Sequence, residues 1–598
     1  MYPPLWLIYL LIILACVVAV SAQDYGYETC RNKLEAIIAG NTTKNGINNE
    51  TVLEYLWNGA ITGFRGQNRP RALGYEGKLC YYMSFFTTHS LGLTLNIIGC
   101  LKICGGRTDQ VTTRSTLEMV TTWIFPLAIV FNLPYDSLHH HKIRRTAQAV
   151  LNWAGSPQTA LTHTIWNVRQ IRHCHRMAKS KNTLTNDAFY VLSCLGQFEL
   201  PNSERFYTAL VYGLFRPFPQ PDTEYDPDQR YTAQLLSDMA FQLRMLRRRG
   251  VIPTLASLGT FITAFIFSIV LAFDEEAGNR TGSPLTLGLL YCWLPLLVIF
   301  TIIDRNPVSA DRSAALMSRW LFNVDAVLTS ARAAGADLNN MQTPIWWSRN
   351  RPAPTVEVFE IQEFIGQGRK IKYCGLADAM IRTIRALQQQ KRPLGNNLDQ
   401  YRLCAQTVLG HLNGTRPTQW WVTAVVSLFL VVFEVMMAFL VAYCTPTFGL
   451  GCWSGGLLLY GVLSSITWVI HLCVKAPGKW GQIICSGFNF LALGWIITLT
   501  GFVLAGGFRT CWCSTVKLSS GGYMMFESFD YYVKNFAMDG PWISASVLGG
   551  LVPGAVLVTA TAWWMKCQHL WSTEETEPVQ DFALGNVDFK ADTSWLKA

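Results

Sequence analysis

Apolar runs recur along this chain, each about as long as a bilayer is thick, and polar or basic stretches separate them. A transmembrane α-helix needs about 17–25 apolar residues, and inside lipid it satisfies its own backbone hydrogen bonds. The runs that qualify are approximately Leu117–Leu133, Thr254–Phe273, Leu285–Ile303, Trp420–Tyr443, Ser454–Val474, Gly481–Gly506 and Ile543–Met565. The pattern predicts an all-α membrane protein, a polytopic bundle of about seven transmembrane helices.

A further run, Phe85–Ile103, contains His89, Asn96 and Lys102, so eight or nine helices are the alternatives. If this run crossed after a lumenal N-terminus, the next basic segment would lie outside, against the rule that Lys and Arg stay cytosolic. The consistent alternative keeps the N-terminal apolar segment as an anchor and gives nine helices.

The first 22 residues contain an apolar core that ends in Val20-Ser21-Ala22. Small residues at the last and third-last positions fit cleavage by signal peptidase, although no Lys or Arg precedes the core. We therefore predict a signal peptide at 1–22, with an uncleaved anchor as the alternative.

Loop charge orients the predicted spans. Residues 134–252 and 304–419 each contain 15 Lys and Arg against 9 acids, whereas residues 274–284 contain three acids and one Arg. The basic segments are therefore predicted to be cytosolic. The predicted order is a lumenal or extracellular region at 23–116, a span at 117–133, a basic cytosolic loop at 134–252, a transmembrane hairpin at 254–303, a second basic cytosolic loop at 304–419, four spans within 420–565 and an acidic cytosolic tail at 566–598.

Sequons and cysteines agree with this orientation. The sequons at Asn41, Asn49 and Asn279 fall on the lumenal side and are candidate glycosylation sites, whereas the sequon at Asn413 is cytosolic. Cysteines that fall in the oxidising compartment, where disulfides persist, are Cys30, Cys80, Cys444, Cys452, Cys511 and Cys513. A Cys30–Cys80 disulfide is the expected pair, and two free thiols are the alternative.

Composition excludes several classes of protein. Half of the chain is apolar and 15% is charged, which is typical neither of a disordered chain nor of an ordinary soluble enzyme. The net charge of +10 does not indicate nucleic-acid binding, because the basic residues border apolar spans. The expected partners are the lipid bilayer and, at the basic loops, anionic headgroups.

Apolar residues recur at helical spacing in both basic loops, which predicts two large helical cytosolic loops rather than tails. In 158–179 they alternate with Arg169, Arg172 and Arg176, as on a helix at an anionic membrane surface or on a soluble helix packed against neighbours.

Glu434 is the strongest candidate for a functional residue. It lies near the middle of the predicted span Trp420–Tyr443, where an ionised carboxylate costs several kcal/mol. It is therefore a proton or cation site, a ligand counter-charge, or a neutral acid that packs against a neighbouring helix. His471 lies about 15 Å from it in depth, so a direct pair is not expected.

Other chemical signals are weak. Six of the ten histidines fall within 139–175, but their basic neighbours would repel a metal ion. Gly366-Gln367-Gly368-Arg369-Lys370 lacks both the third glycine of a dinucleotide fingerprint and the Walker Lys-Ser/Thr pair. We therefore predict no catalytic residue, no metal site and no cofactor.

Three segments resemble stretches of uncharacterised multi-spanning membrane proteins of filamentous fungi. The segments are Asn132–Leu138, Gly155–Leu161 and Asp304–Arg312. The resemblance covers most of the chain after residue 80 and implies a fungal membrane location, but it implies no known activity.

The sequence alone favours transport or sensing across a plasma or secretory-pathway membrane. The alternatives are a scaffolding protein that binds anionic lipid or partners through its basic loops, and a membrane-embedded enzyme.

Overall fold

In a computed structural model, the described part of the chain is predominantly helical. The described residues are 61–62, 94–96, 124, 127, 140–178, 183–218, 226–246, 251–273, 283–304, 310–334, 356–361, 363–370, 374–389, 398–414, 416–444, 450–474, 478–504, 508, 510, 513, 523–525 and 539–566.

The helices in the first half of the described chain are α1 (His140–Gly155), α2 (Pro157–Met177), α3 (Thr183–Leu195), α4 (Glu204–Phe215), α5 (Pro227–Met245), α6 (Val251–Phe273), α7 (Ser283–Leu290), α8 (Trp293–Asp304) and α9 (Ala310–Ala334). After a 3₁₀ turn at Val356–Phe359 come α10 (Leu376–Gln389), α11 (Leu398–Asn413), α12 (Thr418–Cys444), α13 (Cys452–Cys473), α14 (Lys479–Leu504) and α15 (Asp539–Lys566). An antiparallel sheet has the order β1 (Ile61–Thr62), β2 (Thr94–Asn96) and β3 (Tyr523–Met525), with Leu95 opposite Ile61 and Met524.

One half of the fold is an apolar bundle of α6–α8 and α12–α15. The helices α12, α13, α14 and α15 are long and apolar enough to cross a membrane. Each has a large apolar face that is exposed, such as Phe429, Val462, Phe490 and Leu551. Exposed apolar faces of this size are unfavourable in water and ordinary in lipid. The prediction of a helical protein with long apolar helices is therefore confirmed.

The predicted span Leu285–Ile303 is not one continuous helix: it contains two helices, α7 and α8, with a break at Tyr291 and Cys292. Pro295 explains the break: it has no N–H to donate to the carbonyl of Tyr291 and its ring crowds that carbonyl. Residues 285–300 are buried throughout, so the break lies inside the bundle.

The other half is a helical domain that both basic segments build together. Its core combines residues of α3, α4 and α5 with residues of α9, α10 and α11. A buried ion pair joins α4 to the start of α5: Arg216 donates to Asp228 at 2.7 Å, and Asp228 also accepts from Tyr212 at 2.6 Å. Burial raises the pKa of Tyr212 well above its usual value, so the phenol keeps the proton that it donates. The two segments are thus helical, as expected.

Helices α1 and α2 form a hairpin whose tip lies in the apolar bundle. Successive residues from Ala154 to His163 contact successive residues of α13: Ala154 accepts a hydrogen bond from Tyr460, and His163 lies against His471. The other arm begins near Arg145, which pairs with Asp311 at 2.7 Å, beyond the end of α8. Both arms therefore start at the same end of the bundle, and the tip reaches the middle of α13.

A disulfide joins Cys452, at the start of α13, to Cys513, in the segment after α14. Closing the 61-residue separation stabilises the fold by about 4 kcal/mol on the loop-entropy model. We expect Cys452→Ser and Cys513→Ser to lower the melting temperature, and peptide mapping without reductant to recover the cross-linked pair. Alkylation of both thiols in unreduced protein would contradict the pairing.

Candidate functional site

Glu434 is fully buried in the apolar bundle on α12. Neither carboxylate oxygen has a hydrogen-bond partner among the residues that the structure describes. A Cβ added to Gly549 of α15 would lie 3.6 Å from Oε2 and would overlap Leu289 of α7. Because Gly549 has no side chain, there is room beside it for the Glu434 carboxyl group and the end of α7.

The break between α7 and α8 lies beside this carboxyl group. The Cys292 thiol is close enough to Glu434 for an electrostatic interaction. The adjacent Tyr291 bonds to Thr500 of α14 at 3.1 Å, which fixes the break against a third helix. A carboxyl group next to interrupted helices in an apolar bundle resembles the geometry of solute sites in secondary transporters.

A second polar site surrounds the tip of the α1–α2 hairpin. We define the tip cluster as Asn152, Ser156, Gln158, Ser464 and Asn489, all of which are buried. Ser156 donates to the carbonyl of Ser464 at 3.0 Å, and Gln158 donates to the Ser464 hydroxyl at 2.9 Å. Asn489 of α14 donates to Asn152 at 3.0 Å. The cluster contains no charged side chain.

Two buried histidines meet at the end of the bundle where the hairpin begins. The ring centroids of His163 and His471 are 4.7 Å apart, and Trp420 lies 5.8 Å from His471. Arg416 stacks on Trp420 at 4.1 Å. No three potential metal ligands come together in the described residues, and the nearby guanidinium disfavours a cation at the histidine pair.

The Gly366–Lys370 loop packs inside the hairpin. The backbone of Gly368 has a positive φ of 65°, and a Cβ there would lie 2.7 Å from the carbonyl oxygen of Ala160. Trp153 donates to the carbonyl of Gln367 at 3.0 Å. The loop therefore spaces α1 from α2, which leaves no room for a phosphate at Gly368.

Of the site residues predicted from sequence, the described part of the chain contains Glu434. Glu434 and His471 face different neighbours, consistent with their separation in depth. Several predictions lie outside the described residues, namely the signal peptide at 1–22, the Cys30–Cys80 pair, the sequons at Asn41, Asn49 and Asn279, and the tail at 566–598 after its first residue.

Sequence reasoning missed the tip cluster. Its signal was present, because the 23 residues at 146–168 contain no Lys, Arg, Asp or Glu. An uncharged stretch of this length can pack inside an apolar bundle, whereas the basic residues around it, including Arg145 and Arg169, favoured a helix at a membrane surface or a soluble helix.

No known family model, no curated protein and no solved structure matches this chain.

Proposed function

We propose that the protein transports a small solute across a plasma or secretory-pathway membrane and that Glu434 lies at its coupling site. The observation that supports this function is the unpartnered, fully buried carboxyl group beside the break between α7 and α8. A packing role would give the carboxyl group a hydrogen-bond partner, since an unsatisfied buried polar group costs about 1–3 kcal/mol.

The proposed topology has seven spans and a lumenal N-terminal region, with the α1–α2 hairpin entering the membrane from the cytosolic side. Strand β2 lies inside Phe85–Ile103, and a strand at this point disfavours a helical crossing by that run. Its pairing with β3, which precedes the last span, supports placing both segments in one compartment.

Proton exchange follows from the surroundings of Glu434. An ionised carboxylate without a partner in a dry site costs several kcal/mol, so the carboxyl group is protonated in this conformation. It releases the proton when a cation or water reaches it from one side. Because Cys292 and Leu289 flank the break in α7–α8, a small movement of these half-helices opens that route.

We expect Glu434→Gln to abolish coupled proton movement while leaving the fold intact, since the amide has the shape of the acid but does not titrate. The measurement is decay of an imposed pH gradient in proteoliposomes with a trapped pH dye. Wild type should dissipate the gradient faster than protein-free liposomes, and the variant should be slower than wild type by about tenfold or more.

Glu360→Gln is the matched control, because Glu360 is exposed in the helical domain, and it should behave as wild type. Equal rates for wild type and Glu434→Gln would remove Glu434 from the mechanism. A wild-type rate equal to that of empty liposomes would refute proton coupling and favour the scaffolding alternative.

A further inference from the structure

Helix α2 runs parallel to α13 and in a constant register with it. Gln158 bonds to the hydroxyl of Ser464 at 2.9 Å, and Trp468 donates to the hydroxyl of Thr162 at 3.3 Å. In both pairs the α13 residue comes 306 positions after its α2 partner. The constant separation means that the two helices run in the same direction and that each α2 residue lies level with the α13 residue 306 positions later.

The C-terminal part of α2 extends beyond the end of α13. At this register Cys473, the last residue of α13, lies level with Asn167. Arg169 and Arg172 then lie about 3 and 8 Å beyond that level, and Arg176 about 14 Å beyond it. The 22 residues of α13 span about 33 Å, close to the hydrocarbon thickness of about 30 Å, and the headgroup region adds about 5–8 Å on each side. The first two arginines therefore lie at headgroup level, and the third lies just outside it.

The three arginines occupy one side of α2, since positions i, i+3 and i+7 face the same way on a helix. Arg172 and Arg176 are exposed and Arg169 is half-buried, and we call these three residues the arginine face. Nearer the hairpin tip, the same side of the helix carries Ile165, which alone among residues 157–168 is not buried. This isoleucine lies level with the last turn of α13, inside the hydrocarbon. A molecule on this side of α2 would thus meet an apolar side chain first and guanidinium groups next.

The described acids do not balance the charge of the arginine face. None of its arginines forms an ion pair with a described residue, and residues 146–186 contain no Asp or Glu. His173, on the same helix, interacts electrostatically with two of these arginines and with Arg385 of α10. The nearby acid is Asp378, which already pairs at 2.6 Å with the arginine four residues after it.

Arginine supplies the positive charge at this surface, and histidine does not. Burial lowers the pKa of His173, and the neighbouring guanidinium groups lower it further, so the imidazole is neutral near pH 7. Guanidinium groups stay protonated and can form paired hydrogen bonds to phosphate oxygens. The surface therefore suits a phosphate at headgroup level.

We propose that the arginine face binds the phosphate of an anionic phospholipid, with Arg169 and Arg172 on the headgroup and Ile165 against an acyl chain. Each Lys or Arg near a membrane surface adds to the attraction for anionic lipid. A free phosphate ion would gain the charge but not the apolar contact. The proposal requires that α13 crosses a bilayer, and it does not depend on the proposed transport.

The test is native mass spectrometry of the full-length protein in detergent, which counts bound lipids. The protein is titrated with phosphatidic acid and with phosphatidylcholine of the same acyl chains. Wild type should bind its first phosphatidic acid about tenfold more tightly than its first phosphatidylcholine. Arg169→Gln combined with Arg172→Gln should remove this preference, because two charges at headgroup level are lost. The melting temperature should stay near that of wild type, since neither arginine pairs with a described residue.

Arg230→Gln combined with Arg332→Gln is the matched control. Both arginines are exposed, and they lie about 22 and 33 Å along α5 and α9 from the helix ends that adjoin α6 and α8. This variant loses the same charge away from the bilayer and should keep the preference. Glu434→Gln should also keep it, which separates this site from the proposed function.

The proposal is overturned if wild type binds the two lipids equally, if the Arg169 and Arg172 variant keeps the preference, or if the control loses it. Glycerol 3-phosphate carries the same phosphate without acyl chains. If it displaces phosphatidic acid at equal concentration, the ligand is a free phosphate and the lipid proposal fails. Should the double variant melt below wild type, Arg172→Glu decides: this exposed position also changes the charge by two, and an unchanged preference would refute the site.

Discussion

Gly155→Ala is expected to prevent normal assembly of the apolar bundle. A Cβ at this position would lie 2.6 Å from the Cα and 2.7 Å from the Cβ of Asn489. Since the obstacle includes the backbone of α14, rotation of a side chain cannot relieve the overlap. Overpacking of this kind costs about 1–3 kcal/mol or more, and here it would also force the hairpin tip away from α13 and α14.

The measurement is the melting temperature and the monodisperse fraction of the detergent-solubilised protein. Gly487→Ala is the control on α14, because an added Cβ there meets nothing within 4 Å and alanine favours a helix. It should be neutral or slightly stabilising. If Gly155→Ala behaves like Gly487→Ala, the close packing of the hairpin tip on α14 is wrong.

Arg216→Met is expected to destabilise the helical domain by about 3–5 kcal/mol. Arg216 and Asp228 are 2% and 1% exposed, and the guanidinium also donates to Asp226 at 2.9 Å. Removing the arginine leaves the Asp228 carboxylate buried with Tyr212 as its remaining close donor from α4. The uncompensated charge, rather than the lost hydrogen bonds, accounts for most of the expected loss.

Thermal unfolding of the full-length protein followed by circular dichroism measures this effect. Arg402→Met is the control, since Arg402 pairs with Glu204 at 2.5 Å on the surface, where solvent screens the charges and an ion pair contributes little to stability. Adding Asp228→Leu to Arg216→Met should recover part of the stability, because no lone charge remains buried. Equal losses for Arg216→Met and Arg402→Met would contradict a dry ion pair.

The long helices of the apolar bundle were predictable because length and apolar content alone determine whether a helix can span lipid. The predicted span Trp420–Tyr443 lies within α12, and the predicted span Ser454–Val474 overlaps α13 and extends one residue beyond its end. The break before Pro295 was harder to predict from the sequence. A proline in an apolar run can kink a helix or divide it, and the surrounding helices decide which occurs.

The hairpin could not be obtained from charge counting. A charge count over residues 134–252 averages the uncharged residues 146–168 with the basic residues that flank them, so it says nothing of how the uncharged part packs. Glu434 could be singled out as a candidate functional residue because placing an ionised carboxylate in an apolar transmembrane run costs free energy. The buried amides of Gln158 and Asn489 could not be singled out from the sequence. A buried amide is ordinary when its hydrogen bonds are made, and whether they are made is known only once its neighbours are known.

The pairing of β2 with β3 imposes an order on biogenesis. Thr94 lies opposite Met525, so a ribosome must add more than four hundred residues between the two partners. At a synthesis rate of about 5–20 residues per second, β3 is made roughly 20–90 s after β2. During that interval its unpaired edge is open to chaperones or to the wrong neighbour. Synthesis rate should therefore affect the yield of correctly assembled protein.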